Sequence, residues 1–349
     1  MNVVLTICSA NYLAHAKVLG DSLARSNPDY QFVIGLVDRV PAEIKLAGWL
    51  SYEVIPVTDL GIPEFPAMAE KYDIVELNTA VKPFYLEFLY QRNPAVKTVM
   101  YLDPDILVLG SFNALAEKLH GNNIVVTPHS CTHDNSAVNF YYETAMLSTG
   151  IYNLGFIATT RAETTFAFLK WWQKRLVDHC YYRAGSGVFV DQLWVTLATL
   201  YFEGVYVEKD PGYNMCYWNH FERRLSHQDN HYMVNGNHDL VFYHFSSYSP
   251  LNPGVITNRA SQPVMTFAER PDLQPLYDDY GKRLFAAGFA LVRPLKCAFG
   301  RKPKPTPKPK LSVKTAVQGA LKRTLNATPA AIRKRLHQIS GFIAENSEG

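Results

Sequence analysis

Tyr101-Leu102-Asp103-Pro104-Asp105-Ile106-Leu107-Val108 sets two carboxylates and a proline inside an apolar, β-branched run that extends over residues 98–109. A buried strand has no structural use for two carboxylates two residues apart. Proline cannot donate to a sheet ladder, so the strand must end or bend at Pro104. In extended geometry, positions i and i+2 project to the same side, and both carboxylates can approach one cation or one ribose–phosphate unit. Like charges that close repel unless a cation lies between them. Oxygen ligands of this kind suit Mg²⁺ or Mn²⁺, which would neutralise a diphosphate leaving group. The plainer alternative is a turn capped by two aspartates.

Upstream of this stretch the chain alternates strand, helix, strand, helix, strand over residues 2–9, 12–26, 30–38, 41–50 and 52–58. That order predicts an α/β domain with a mostly parallel sheet. One long helical pattern follows over 73–91. Downstream, strands are expected near 124–127, 151–159, 205–208 and 240–244, and helices over 161–179 and 189–202.

In this setting the run from Val99 to Val108 resembles the metal-binding signature of the family 8 retaining glycosyltransferases and their bacterial relatives. Other landmarks of that family occur in order: Ser9-Ala10-Asn11-Tyr12 after the first strand, Lys82, Tyr152-Asn153-Leu154-Gly155-Phe156, Asp191-Gln192, and His244-Phe245-Ser246-Ser247. The resemblance covers roughly residues 2–250. It implies a GT-A fold, a Rossmann-like nucleotide-diphospho-sugar transferase domain. The implied activity is metal-dependent sugar transfer with retention, from a UDP-sugar by default, using Mn²⁺ or Mg²⁺.

Carried over to this chain, the resemblance makes Asp103 and Asp105 metal ligands, with Asp103 also near the ribose, and His244 the third protein ligand. Ser9, Asn11 and Tyr12 would grip the base, and Lys82 would lie near the diphosphate. Asn153 and Gly155 would lie beside the transferred sugar, where glycine permits close backbone approach. Asp191 and Gln192 would meet the sugar hydroxyls and the reacting face. Asp191 is the obvious carboxylate for a nucleophile. Its expected task is to orient the donor, which leaves a front-face mechanism in which the departing phosphate oxygen helps deprotonate the acceptor. Two departures stand out. Ser247, Tyr248, Ser249 and Pro250 follow the histidine where the family has a glycine and a phosphate-contacting lysine, and Ser9 replaces a frequently acidic residue.

Three further clusters draw notice. His129-Ser130-Cys131-Thr132-His133-Asp134 has metal-binding residue types but the composition of a loop, and is read as a mobile loop beside the acceptor. Tyr213-Asn214-Met215-Cys216-Tyr217-Trp218-Asn219 carries aromatics that either stack on sugars or simply pack. Trp171 and Trp172 fall in a helical pattern and are expected in the core or an interface.

The 349 residues carry a net charge of +3, unevenly spread. From Lys282 onward, 15 basic groups face only Glu345 and Glu348, a net of +13, whereas residues 1–281 hold 19 basic against 29 acidic groups, a net of −10. The expected organisation is a catalytic domain over 1–280, an apolar and basic connecting segment over 281–300, a Pro/Lys linker over 301–310 and a basic amphipathic helical tail over 311–349. The stretch 284–292 suits an interfacial helix or, alternatively, a last helix docked on the domain. Only Phe342 is aromatic beyond Arg301, so the tail lacks a stacking platform for nucleic acid, and an anionic membrane surface is the expected partner. Five unpaired-looking cysteines, no signal-peptide pattern and no spanning run lead to the expectation of a cytoplasmic protein, peripheral on the inner face of the cell membrane, with a glycan or lipid-linked acceptor. Two competing readings are a membrane-tethered glycan- or nucleotide-binding protein without turnover, and a haloacid-dehalogenase-like phosphatase. The latter wants Thr or Val where Leu107 stands.

Overall fold

The computed structural model describes residues 1–39, 48–228, 231–259 and 265–301. Residues 1–301 make up one compact unit. The expected helix over 41–50 falls largely outside the described residues, as do the Pro/Lys linker beyond Arg301 and the basic tail.

The chain opens with β1 (Asn2–Cys8), α1 (Leu13–Ser26), β2 (Tyr30–Leu36) and β3 (Glu53–Pro56), then three helices, α2 (Phe65–Lys71), α3 (Ile74–Ala80) and α4 (Lys82–Arg92). β4 (Thr98–Leu102), β5 (Ile106–Val108), α5 (Asn113–Gly121), β6 (Ile124–Pro128), α6 (Ala137–Thr149), β7 (Tyr152–Thr160) and α7 (Glu163–His179) follow. A short hairpin, β8 (Tyr182–Arg183) and β9 (Val188–Phe189), leads into α8 (Gln192–Val195), α9 (Ala198–Tyr201) and β10 (Val205–Val207). The last elements are a small sheet of β11 (Leu225–Gln228), β12 (His231–Val234) and β13 (His238–Asp239), then β14 (Phe242–His244), α10 (Gln274–Ala286) and α11 (Phe289–Val292).

Seven strands form the central sheet in the order β10-β6-β7-β4-β1-β2-β3. β1, β2, β3 and β4 run parallel, and β10 runs parallel to β6; only β7, between β4 and β6, is reversed. The sheet is thus mixed and mostly parallel, as the alternation of strands and helices predicts. Alternate residues feed two cores. Val4, Met100 and Leu102 join the cluster that includes α1, α10 and α11, while Val3, Leu5, Val99 and Tyr101 join the one that includes α4 and α7. Burial on both faces explains why these strands read as continuous apolar runs.

Four local outcomes differ from the sequence expectation. The helix over 73–91 is two helices, because Pro83 lacks the N–H needed to continue α3 and instead sits in the first turn of α4. Asp73 and Glu76 form a capping box that starts α3, worth about 1 kcal/mol. The helix over 189–202 is broken into β9, α8 and α9, with Val190 at φ +36°. Residues 137–149, to which no element was assigned, form α6, whose N-cap is Ser136. Finally, 281–300 is no connecting piece but part of the compact unit. Leu284, Ala287, Phe289 and Val292 are buried in the cluster that includes α1, so the docked-helix alternative describes this stretch.

Candidate active site

Three segments distant in sequence meet at the C-terminal end of β4. The strand stops at Leu102, and the Asp103 N–H donates to the Gly155 carbonyl on reversed β7 at 2.8 Å. A turn closed by Ile106 N–H to Asp103 O at 3.1 Å then carries the chain off the main sheet. β5 pairs antiparallel with β14, His244 opposite Ile106, and the Phe245 N–H donates to the Asp105 carbonyl at 2.8 Å. That register brings the imidazole to the carboxylates: His244 Nε2 lies 3.1 Å from Asp105 Oδ1 and 3.6 Å from Asp103 Oδ2.

The donor set fits a divalent cation. One ligand atom from each of Asp103, Asp105 and His244 lies within 4.8 Å of the others, the arrangement expected of a candidate metal site. Their electrostatics agree. Burial opposes charge on His244, yet Asp105 and then Asp103 raise its pKa above the ordinary imidazole range. Burial would likewise raise Asp105, but the His244 charge carries it below the usual carboxylate range. The same field that attracts a proton to His244 attracts a cation. The other ring nitrogen, Nδ1, faces Asn214 Oδ1 at 3.3 Å and donates to it, leaving Nε2 turned toward the carboxylates. Asn214 is fixed in turn, its Nδ2 donating to Thr127 Oγ1 at 2.9 Å and Asn153 Oδ1 at 3.0 Å. Tyr101 OH donates to Asp103 Oδ1 at 2.6 Å.

Asp103, His244, Asn153, Gly155, Lys82, Asp191 and Gln192, seven of the residues singled out in the sequence, line one cavity of about 230 Å³. Lys82 and Asp191 are buried there as an ion pair, Nζ to Oδ2 at 2.5 Å. Lys82 also donates to the Leu154 carbonyl at 2.8 Å and lies over the Tyr101 ring. Burial pushes the Asp191 carboxyl above its ordinary range in spite of the adjacent ammonium. Trp172, on α7, holds the Asp191 carbonyl from behind through its indole N–H at 3.2 Å. Gln192 donates to the Thr149 carbonyl at 2.9 Å, tying α8 to the end of α6.

Ser9, Asn11 and Tyr12 lie outside this cavity, on the loop and turn after β1. Ser9 Oγ donates to Asn11 Oδ1 at 2.7 Å, and Tyr12 stacks on His15 with centroids 4.5 Å apart. Burial, then the Asp105 charge, raise the Tyr12 phenol, so this loop adjoins the carboxylates from the other direction. Asp38, at the end of β2, accepts from the Ala10 N–H at 3.1 Å and the Ala298 N–H at 2.8 Å, joining this loop to the segment after α11.

Several contributors take parts that the sequence did not assign to them, although Asn214, Trp218 and His129 fall within stretches singled out there. Asn214, held at φ +55° and fully buried, orients both His244 and Asn153. Tyr182 and Arg259 line the cavity from the β8–β9 hairpin and the segment after β14. Trp218 packs edge-on against His244, with ring centroids 5.2 Å apart, and its indole nitrogen has no partner among the described residues. His129 lines the cavity, but among the described residues the 129–134 stretch contributes to no cluster of potential metal ligands; its Cys131 and Thr132 N–H groups are held by Glu222 Oε2 at 2.9 and 2.8 Å. No helix among the described residues is long and apolar enough to cross a membrane.

No family model matches the chain. It is 26% identical over 250 residues to the uncharacterized protein YfnF of Bacillus subtilis (strain 168), covering 70% of this chain and 80% of that one. Among solved structures it is similar to the galactosyltransferase LgtC in complex with donor and acceptor sugar analogs (18% identity, 81% of this chain and 95% of that one, TM-score 0.47). It is also similar to the glycosyltransferase GlyE of Streptococcus pneumoniae TIGR4 (14% identity, 81% and 62%, TM-score 0.45) and to mouse xyloside xylosyltransferase 1 (14% identity, 76% and 100%, TM-score 0.42).

Proposed function

We propose that this chain is a metal-dependent glycosyltransferase of the GT-A type, similar to family 8, that moves a sugar from a nucleotide-diphosphate-sugar to a glycan or lipid-linked acceptor. The observation that carries the reading is the convergence of Asp103, Asp105 and His244 at the end of β4, at the rim of a cavity lined by Asn153 and the buried Lys82–Asp191 pair. Mn²⁺ or Mg²⁺ held by these three side chains would neutralise the diphosphate as it leaves.

The rest of the work falls to the chain itself. Tyr12 offers an exposed ring for a base to stack on, with Asn11 and Ser9 beside it for the base edge. Uridine is the default. Asn153, Gly155, Asp191 and Gln192 surround the place of the sugar. Lys82 occupies one oxygen of Asp191, which leaves the other to accept from a sugar hydroxyl. A carboxylate clamped in this way positions the donor better than it attacks it. This favours a front-face reaction with retention: the bond from the anomeric carbon to the diphosphate oxygen breaks as the acceptor oxygen bonds on the same face, and the acceptor proton passes to the departing oxygen. Surface-polysaccharide or lipopolysaccharide-type synthesis, at the inner face of the cell membrane, is the setting that suits such an acceptor.

Calorimetric titration with UDP, GDP and CDP, with and without Mn²⁺, tests the reading. Metal-dependent binding of one nucleotide is the expected result, followed by release of that nucleotide from its sugar conjugate. A folded protein that binds none of the three would overturn it.

A further inference from the structure

The cavity is lined by two permanent cations among the described residues, and they stand in opposite situations. Lys82 is 1% exposed, and its ammonium is committed to Asp191, the Leu154 carbonyl and the Tyr101 face. Arg259 has only neutral hydrogen-bond partners among the described residues: its Nη1 donates to Tyr182 OH and its Nε to Ser247 Oγ at 3.2 Å.

The chain is built to bring Arg259 back to this wall. Asn258 N–H and Nδ2 both donate to the Ser247 carbonyl at 3.0 Å, and Thr257 Oγ1 donates to the Ser246 carbonyl at 3.0 Å. Ser247 is held at φ +59°, a left-handed conformation that a serine adopts at some cost. The segment 257–259 is thereby laced onto the two residues that follow the His244-Phe245 end of β14, and Arg259 shares the cavity wall with Ser246, His244 and Asp103.

Resting on the donor-binding reading above, we infer that Arg259 is the cation that binds the diphosphate oxygens not taken by the metal. Asp103 and Asp105 balance a divalent ion, and Asp191 balances Lys82, so a diphosphate entering the cavity brings negative charge that, among the described residues lining it, Arg259 is left to meet. Its planar fork suits two phosphate oxygens at once. It stands 15 positions beyond His244 and supplies the charge missing from the Ser247-Tyr248-Ser249-Pro250 stretch. The diphosphate would exchange for Tyr182 on Nη1, so donor binding and release of the β8–β9 hairpin, the element leading into Asp191, are coupled.

The test is calorimetry of inorganic pyrophosphate against the full chain at saturating Mn²⁺, with Mn²⁺ affinity measured separately as a check on folding and on the metal site. Arg259→Gln should weaken pyrophosphate roughly 10- to 100-fold while leaving Mn²⁺ affinity unchanged. Arg259→Lys should recover part of the loss, and Tyr182→Phe should bind at least as tightly as the unaltered chain. Equal pyrophosphate affinity in Arg259→Gln and the unaltered chain would overturn the assignment and leave the glycosyltransferase reading standing. No pyrophosphate binding by the unaltered, Mn²⁺-loaded chain would overturn both.

Discussion

Gly155 lies so close to the His244 ring that a methyl group on Gly155 would come within 2.5 Å of the imidazole Cε1 and 2.8 Å of Nδ1. The same methyl would meet Asn153 Oδ1 at 2.7 Å. The close approach that glycine permits at this point is therefore required by the His244 side of the candidate metal site.

Gly155→Ala should push the His244 ring off its line to Asp105 and weaken Mn²⁺ binding about 10- to 100-fold. The overpacking should cost about 1–3 kcal/mol of stability. Isothermal titration with Mn²⁺ and a urea midpoint check the two effects separately.

Asp105→Asn and His244→Ala should each abolish metal-dependent nucleotide binding and donor turnover while circular dichroism stays that of the unaltered chain. Unaltered turnover in both would remove Asp105 and His244 from the reaction.

Lys82→Met should leave Asp191 buried without its counter-charge and cost about 3–5 kcal/mol, since removing one partner of a buried pair strands the other. Lys82→Met combined with Asp191→Leu should cost less than the sum of the single changes. Additive losses in a double-mutant cycle of urea unfolding would show that the pair is not coupled.

Two histidines, His15 in the core and the half-buried His129 at the cavity wall, predict an acid-sensitive fold. Burial lowers His15 to about 4, against a small opposing pull from Asp105, and burial likewise lowers His129 to about 4. An unfolded histidine titrates near ~6.5, so between that pH and about 4 the unfolded chain takes up protons that the folded chain refuses. Their contribution is fully present above pH ~6.5 and is lost as the pH falls toward 4. Each accounts for on the order of 1–3 kcal/mol. His15 stacks on Tyr12 and meets Phe289 edge-on. His15→Phe keeps that packing and should flatten the slope of unfolding free energy between pH 6.5 and 4.5; an unchanged slope would clear His15 of the effect.

The sheet and the carboxylate pair were legible for the same reason: apolar runs of strand length announce two-sided burial, and Asp103 and Asp105 break such a run without a packing motive. His244 was legible only through the Phe and Ser that follow it. The Lys82–Asp191 pair was not, because 109 residues separate partners that the reversed strand and α7 bring together. Arg259 lies beyond the stretch that resembles a family, in a segment without periodicity. The break between α3 and α4 had its signal in Pro83. The misjudged segment 281–300 shows a limit of pattern: Leu284, Phe289 and Val292 mark an apolar face, but spacing does not say whether that face meets lipid or, as here, the core around α1.

The bond from the Ala298 N–H to Asp38 spans 260 residues, and Cys297 Sγ reaches Asn11 Oδ1 across 286. During synthesis, at roughly 5–20 residues per second, the loop after β1 must wait tens of seconds for the segment that completes it. Until then its polar groups and the side of α1 that meets α10 and α11 remain uncovered on the nascent chain. The strand β1 is paired on both sides once β4 has been made, whereas the loop that follows it is among the last of the described parts to be finished.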